Sequence, residues 1–477
     1  MRIRNGLAAL ALGIGMASAG AAAAATQSLT ILHDNDIHGH LRSFCYVEVA
    51  KGPEEHCDTG GAARRATLVH ALRAKAKDPV VLVDTGDTTT RGPLATEYEG
   101  VDEIAAMNAI GYDIAALGNN EFKLKDAADI HDAAGAQAAL ALLVKQSYFP
   151  WLAANVTEAD GSMLPGVKPY LVRKVGALRI AFIGFTAPRS ASYPQAKGLV
   201  FTDPVAAAKI WVPKARAEAN VVIAMTHIGV IDDQRLAKET TGIDAIVGGD
   251  SHTYLYQPLE VKNLDGVGVP IVQDGEFGVR LGVFDLTFEG DAAHGWRLAD
   301  YADRLEAVDA QVKPNPKLAA LVEHYAHPLD VVVGKLSMIG LNPSDRTKIT
   351  AADLAAAFKF ASGAEIGIQP EGDLFEVFRT QKVTRFQIHA ILPFHDVVWT
   401  GPVPGARLQA ILEKTSPLIG AMHATVAPID IDPAKTYQVA TVDFVAQALF
   451  PGVGKAGEDS RTATERWLKA GAPGQVK

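Results

Sequence analysis

Seven side chains able to bind a divalent ion fall just after short apolar runs: Asp36 and His38, Asp87, Asn119, His227, and Asp250 with His252. Carboxylates and amide oxygens suit hard ions, and imidazoles suit zinc and its neighbours. Any one of these residues reads equally well as a helix cap or an ordinary polar residue. Capping does not explain five separate strand ends that each deliver such a donor. Seven donors exceed one tetrahedral site. Two ions are therefore expected, about 3.5–4 Å apart with an aspartate between them, an arrangement that activates water for attack on an ester.

The runs that must position these donors are residues 29–32, 80–83, 114–117, 221–224 and 245–247, with a further run at 180–183. Each is short and apolar throughout, as in strands buried on both faces, and helix-length segments separate them. Leu68, Val69, Leu72 and Ala76 fall at helical spacing, and Pro79 ends that helix. The alternation predicts an α/β layered domain, whose ligands gather beyond the carboxyl ends of the strands. Residues 270–273 and 279–288 read as neighbouring strands around an Asp274-Gly275 turn. Pro314-Asn315-Pro316 opens a helix over 317–325 that reads as an interdomain linker. Beyond about Val331, helical stretches such as 351–360 mix with β runs at 397–399 and 437–442, which predicts a second, α+β domain. The expected division is 1–25 leader, 26–310 first domain, 311–330 linker helix and 331–477 second domain.

Of the 477 residues 48% are apolar and 21% charged, and the mean hydropathy is +0.09, which excludes a disordered chain and a polytopic membrane protein. Forty-five Lys and Arg against 54 Asp and Glu give a net charge of −9, which opposes binding to a nucleic acid polymer. Arg2 and Arg4 precede an apolar, Ala-rich stretch ending at Ala23-Ala24-Ala25, the pattern of a cleavable export signal. A periplasmic or secreted protein with no stable membrane span after cleavage is expected. The two cysteines, Cys45 and Cys57, flank a Gly-Pro loop, and in an exported chain they are expected to form a disulfide.

The motifs Asn35-Asp36-Ile37-His38-Gly39, Gly86-Asp87, Gly118-Asn119-Asn120-Glu121-Phe122, Thr226-His227-Ile228-Gly229 and Gly248-Gly249-Asp250-Ser251-His252-Thr253 together resemble the calcineurin-like metallophosphoesterases. Gly60-Gly61-Ala62-Ala63-Arg64, Met107-Asn108 with Gly111-Tyr112, and the second half of the chain narrow the resemblance to the exported 5′-nucleotidase and UDP-sugar hydrolase family. The resemblance implies one ion on Asp36, His38, Asp87 and His252, and another on Asp87, Asn119, His227 and Asp250, with Asp87 bridging. It implies Mn²⁺ or Zn²⁺ as the ions and a small phosphate ester, in particular a nucleotide, as the substrate. His33 and His40 match no ligand position; His33 reads as a buried strand residue.

The sequence departs from the family's pattern at the positions that assist phosphoryl transfer. The family's His after the metal-binding Asn is Asn120 here, and its Asp three residues later is Lys123, which carries a positive charge of its own. Asp250 stands where the family usually has a third-motif His. In the second domain, the segment 391–396 and Thr441-Val442-Asp443-Phe444 resemble those that supply two base-gripping rings, Phe394 and Phe444. The usual glycine-rich loop after the second ring is replaced by residues 448–452, and a usual Gly-Gly-x-Arg turn by Gly372-Asp373-Leu374-Phe375. The expected function is hydrolysis of a nucleotide or similar phosphomonoester by metal-activated hydroxide. The alternatives are a ligand-binding homologue with weakened catalysis, and hydrolysis of a phosphodiester or sulfur ester.

Overall fold

The structure, a computed structural model, describes residues 25–47, 55–124, 132–291, 295–336, 350–370, 382–394, 396–413, 415–416 and 420–474. The leader through residue 24 and the turn at 372–375 lie outside the described residues.

Three donor-bearing strands, Ala25–Asp34, Val80–Asp84 and Ile114–Ala116, are parallel neighbours in a seven-stranded sheet. The other two, Val221–His227 and Ala245–Val247, are parallel neighbours in a six-stranded sheet that also contains Leu178–Thr186. Alternate side chains of each strand point opposite ways, so one face can serve each of two cores. Leu29, Ile31, Val81 and Val83 meet Ile180, Phe182, Ile223 and Met225 between the sheets. Leu32 and Leu82 point outward, to the helices Ala62–Lys75, Val101–Ile110 and Pro316–Ala326. On the far side Ile183, Val222 and Ala224 pack with the helices Pro204–Glu218 and Val230–Glu239. The result is a helix, sheet, sheet, helix layering, and burial on both faces explains the unbroken apolar runs.

One expectation fails here. Gly268–Val272 pairs within the six-stranded sheet, whereas Arg280–Asp291 pairs antiparallel with Ala25–Asp34 in the other sheet. Asp274-Gly275 is therefore a crossing between sheets and not a hairpin turn. The crossing is held by Asn35, whose Nδ2 donates to Gly275 O at 2.6 Å and whose Oδ1 accepts from Asp274 N at 3.1 Å. An Asp-Gly pair favours a tight bend whether or not the flanking strands pair with each other.

From Val332 onward a second core forms around a six-stranded sheet that includes Ile366–Pro370, Val397–Pro404 and Thr436–Val442, flanked by the helices Ala351–Ser362 and Ser460–Lys469. The helix Pro316–Ala326 puts Leu318, Val322 and Ala326 into the core of the first unit. Contacts from the first unit to the second include Thr96 Oγ1 donating to Pro393 O at 2.6 Å, and the Arg42 guanidinium 4.8 Å above the Phe386 ring.

Candidate metal centre

The donors stand on strained backbone. Asp36, His38, Asp87, Asp250 and His252 all have positive φ, between 49° and 80°. For a residue with a Cβ such a conformation costs about 1–2 kcal/mol, so the surroundings must over-determine it. Glu121 does so for one loop: its buried carboxylate accepts from the amides of Asp87, Thr88, Thr89 and Gly118 at 2.8–3.1 Å. Gly118 itself is required there, because a Cβ would overlap the Asp87 amide and carboxylate.

These loops bring side chains from both sheets to one point. Asp36 Oδ1 lies 3.2 Å from His252 Nε2, 3.6 Å from His38 Nε2 and 3.7 Å from His227 Nε2. Asp87 Oδ2 lies 3.2 Å from His227 Nε2 and 3.9 Å from His38 Nε2. Asp250 Oδ1 is 3.5 Å from His227 Nε2. Two groups have the proximity needed to hold an ion: Asp36, His38 and His252, and Asp36, Asp87 and His227. Asp36 is the member common to both, and Asp87 also reaches imidazoles of both. Asn119 stands at the same edge, its Nδ2 donating to the Tyr193 hydroxyl at 3.1 Å.

Neighbouring groups fix how the donors are presented. His227 Nδ1 is 2.8 Å from Thr85 O, and His252 Nδ1 meets Glu276, so both imidazoles turn Nε2 inward. Asp36 Oδ2 accepts from Asn35 Nδ2 and from the Asp250 amide, each at 2.7 Å, which leaves Oδ1 for the centre. Tyr46 OH donates to Glu276 at 2.7 Å and so ties this support to the Cys45–Cys57 hairpin, where the disulfide is formed.

The residues fit divalent ions on three observations. Asp36 Oδ1 and His227 Nε2 are buried without a hydrogen-bond partner. His38 and His252 point Nε2 at Nε2 across 3.2 Å, an arrangement that needs a cation or a proton between them. The electrostatics agree. Burial opposes ionisation of Asp36 and Asp87, yet the facing imidazoles, His227 first, hold both carboxyls well below the usual range. Burial likewise opposes charge on His252, but Asp36 and Glu276 lift it to about 10, whereas burial and the Arg91 guanidinium push His38 down to about 4. The centre is built to hold positive charge.

Asn120 turns toward the centre: its amide donates to Asp87 Oδ1 at 2.7 Å and its Nδ2 to Asp87 Oδ2. Lys123 places Nζ 4.4 Å from the middle of the Tyr193 ring. Both line a narrow cleft together with Arg91, Thr96, Glu99 and Phe394. Phe444 is 52% exposed and stands outside that lining. His33 is a buried strand residue 3.3 Å from Asp303, and His40 packs on the Phe44 and Phe277 rings.

Three participants escaped the sequence reading: Glu276 behind His252, Arg91 with Nη1 3.3 Å from His38 Nε2, and Arg189 bonded to Asp250 and Asn119. Glu276 follows the Asp-Gly crossing that was expected to be a hairpin, so its approach to the centre depends on that misassigned pairing. Nothing in spacing marks the two arginines, which sit in turns like many surface arginines.

Residues 29–254 match the calcineurin-like phosphoesterase family. The 5′-nucleotidase of Bos taurus is 34% identical over 281 residues, 55% of this chain and 46% of that protein. A snake venom 5′-nucleotidase of Gloydius brevicauda is 33% identical over the same length. The chain thus spans about half the length of the curated relatives it matches. Among solved structures, a 5′-nucleotidase precursor from Thermus thermophilus has a TM-score of 0.74 at 23% identity, covering 93% of this chain and 96% of that one. The sulfate thiohydrolase SoxB of Thermus thermophilus has a TM-score of 0.69 at 19% identity, covering 93% and 94%. These two likenesses are of fold. Residues 29–254 are thus similar to the calcineurin-like phosphoesterases, within a chain that is similar to 5′-nucleotidases over about half its length.

Proposed function

We propose that the chain hydrolyses a phosphate ester with two divalent ions, one on Asp36, His38, Asp87 and His252 and the other on Asp87, Asn119, His227 and Asp250. The observation that carries this reading is the convergence of three imidazole Nε2 atoms within 3.7 Å of the unpartnered Asp36 Oδ1, from strand ends of both sheets. When bound, such ions polarise phosphoryl oxygens and lower the pKa of a water. The rest falls to the protein. Thr85 and Glu276 hold two imidazoles in the presenting tautomer, and Asn120 clamps Asp87. Arg91, partly buried between His38 and the cleft, supplies a positive charge for phosphoryl oxygens, and Lys123 supplies a second on a flexible stem.

The relatives' names and Phe394 in the cleft support a nucleotide or similar small phosphomonoester as the substrate, with a planar group against the Phe394 ring and, after rearrangement of the second unit, the Phe444 ring. The three aspartates favour Mn²⁺, with Zn²⁺ also accommodated by the three histidines. We take 26–310 as the catalytic domain, 311–330 as the linker helix and 331–477 as the substrate-binding domain. Residues 1–25 are read as an export leader, which gives a periplasmic or secreted enzyme, and the disulfide supports that compartment. No helix among the described residues is long and apolar enough to cross a membrane. A second reading, ligand binding with weak turnover, is favoured by Asn120, which cannot act as an acid and already spends its amide on Asp87.

The test is phosphate release from a nucleoside 5′-monophosphate and from a small aryl phosphate, after chelation and resupply of Mn²⁺ or Zn²⁺. Asp87→Asn is expected to abolish release from both. Phe394→Ala is expected to raise KM about tenfold for the nucleotide alone, the effect of losing one base–ring stack. Release from both substrates that withstands Asp87→Asn refutes the assignment. Metal-dependent binding of the nucleotide with no release supports the second reading.

A further inference from the structure

Arg189 lies in the single turn Pro188–Ser192 that follows the strand Leu178–Thr186. Its Nη1 donates to Asp250 Oδ2 at 2.8 Å, its Nη2 to Asn119 Oδ1 at 2.8 Å, and the same Nη2 also meets Asp250 Oδ1. One guanidinium therefore donates to every side-chain oxygen of Asn119 and Asp250. The remaining members of that ligand set, Asp87 and His227, are not among its partners, and His227 Nε2 is left unpartnered 3.5 Å from Asp250 Oδ1. The other ligand set is treated differently. Arg91 meets it at His38, while Asp36 Oδ1 faces three imidazoles.

A guanidinium has no lone pair to give a metal and keeps its charge at any working pH. Each oxygen it bonds keeps a second lone pair, but an ion that takes it must sit beside the guanidinium charge. A divalent ion that uses Asn119 and Asp250 must therefore bear the repulsion of that positive charge or push the guanidinium aside. The side chain is 53% exposed, so a path into solvent is open to it.

We propose that Arg189 is a built-in competitor for the second ion: it holds Asn119 and Asp250 until an ion displaces it, so that the two ions load in order and the second binds more weakly. This rests on the two-ion reading above. Arg189 is a positioning residue in this role, and its effect is read in metal binding and not in turnover.

The experiment is calorimetric titration of the chelated full chain with Mn²⁺, comparing wild type with Arg189→Met, which keeps the stem and removes the charge, and with Arg189→Lys, which keeps the charge and removes the fork. Wild type is expected to show two binding events of unequal affinity. Arg189→Met is expected to tighten the weaker one about tenfold, the scale of one lost charge-assisted hydrogen bond, and leave the tighter one unchanged, with Arg189→Lys tightening it less. Equal or weaker second binding in Arg189→Met, with two events still present, overturns the proposal alone and makes Arg189 a support of Asp250. A single event, or none, in all three chains overturns the two-ion reading and this proposal with it. The thermal midpoints of the chelated chains, expected to agree, separate these results from a loss of folding.

Discussion

Asp36 Oδ1 is the atom around which the centre is arranged, and its environment shows what a lone Asp-x-His motif does not. The other oxygen of the same carboxylate is spent on Asn35 and the Asp250 amide, so the free one has a single direction to face. His252 faces it because Glu276 holds the far side of the ring. Removing that support while leaving the ligand intact isolates its contribution: Glu276→Gln is expected to weaken divalent-ion binding about 10–100-fold, the usual cost of losing an outer partner of a ligating histidine. Competition with a chelating indicator dye measures it, and unchanged affinity contradicts the role. The clustering of these side chains was legible in the sequence because each stands at or after the end of a short apolar run, and the run's end fixes where the side chain stands. Glu276 was not, because its place depends on which sheet the following strand joins.

At the scale of elements, the disulfide hairpin and a buried helix terminus make separable contributions. The hairpin of Phe44–Val47 and Glu55–Thr59 is closed by Cys45–Cys57 and carries Tyr46 to Glu276. Replacing both cysteines with alanine is expected to lower unfolding stability by about 3 kcal/mol, through the entropy of the open loop. Urea unfolding of the chelated chain tests this, and a midpoint unaffected by the replacement contradicts it. The helix Val101–Ile110 buries Asp102 in its first turn, and burial pushes that carboxyl up from 3.8 to about 7. Below about pH 4 the group is protonated both folded and unfolded and costs nothing. As pH rises toward 7 the unfolded chain releases its proton while the folded chain retains it, so the folded state loses stability, and above 7 the whole cost is carried. Asp102→Asn is therefore expected to stabilise the chelated protein by about 2–4 kcal/mol at pH 8 and by almost nothing at pH 4. An equal gain at both pH values points to packing and not ionisation. The pair of cysteines was readable from spacing in a chain whose first residues read as an export signal. A buried acid at a helix start was not, since Asp there normally reads as a solvated partner of the helix dipole.

Over the whole molecule, the site exists because two sheets pack face to face with their carboxyl-terminal edges aligned. Neither sheet alone carries the donor set: Asp36, His38, Asp87 and Asn119 follow strands of one, and His227, Asp250 and His252 end or follow strands of the other. The doubly buried strands announced a layered α/β fold in the sequence, but their runs do not say how many sheets they form, because a strand covered by a sheet and one covered by a helix are equally apolar. That ambiguity is why the Asp274-Gly275 crossing read as a hairpin. The second unit packs its own core and meets the first beside the cleft that holds Phe394 and Asn120.

The central claim is that phosphate release depends on ions held at this inter-sheet edge. The most direct measurement follows release from a small aryl phosphate while Mn²⁺ is titrated into the chelated protein and bound metal is counted in the same samples by mass spectrometry. Release is expected to be absent without metal and to reach its plateau as occupancy approaches about two ions per chain. In Asp36→Ala, occupancy and release are expected to fall together. Full release from metal-free protein, or from Asp36→Ala with its metal lost, would contradict the claim.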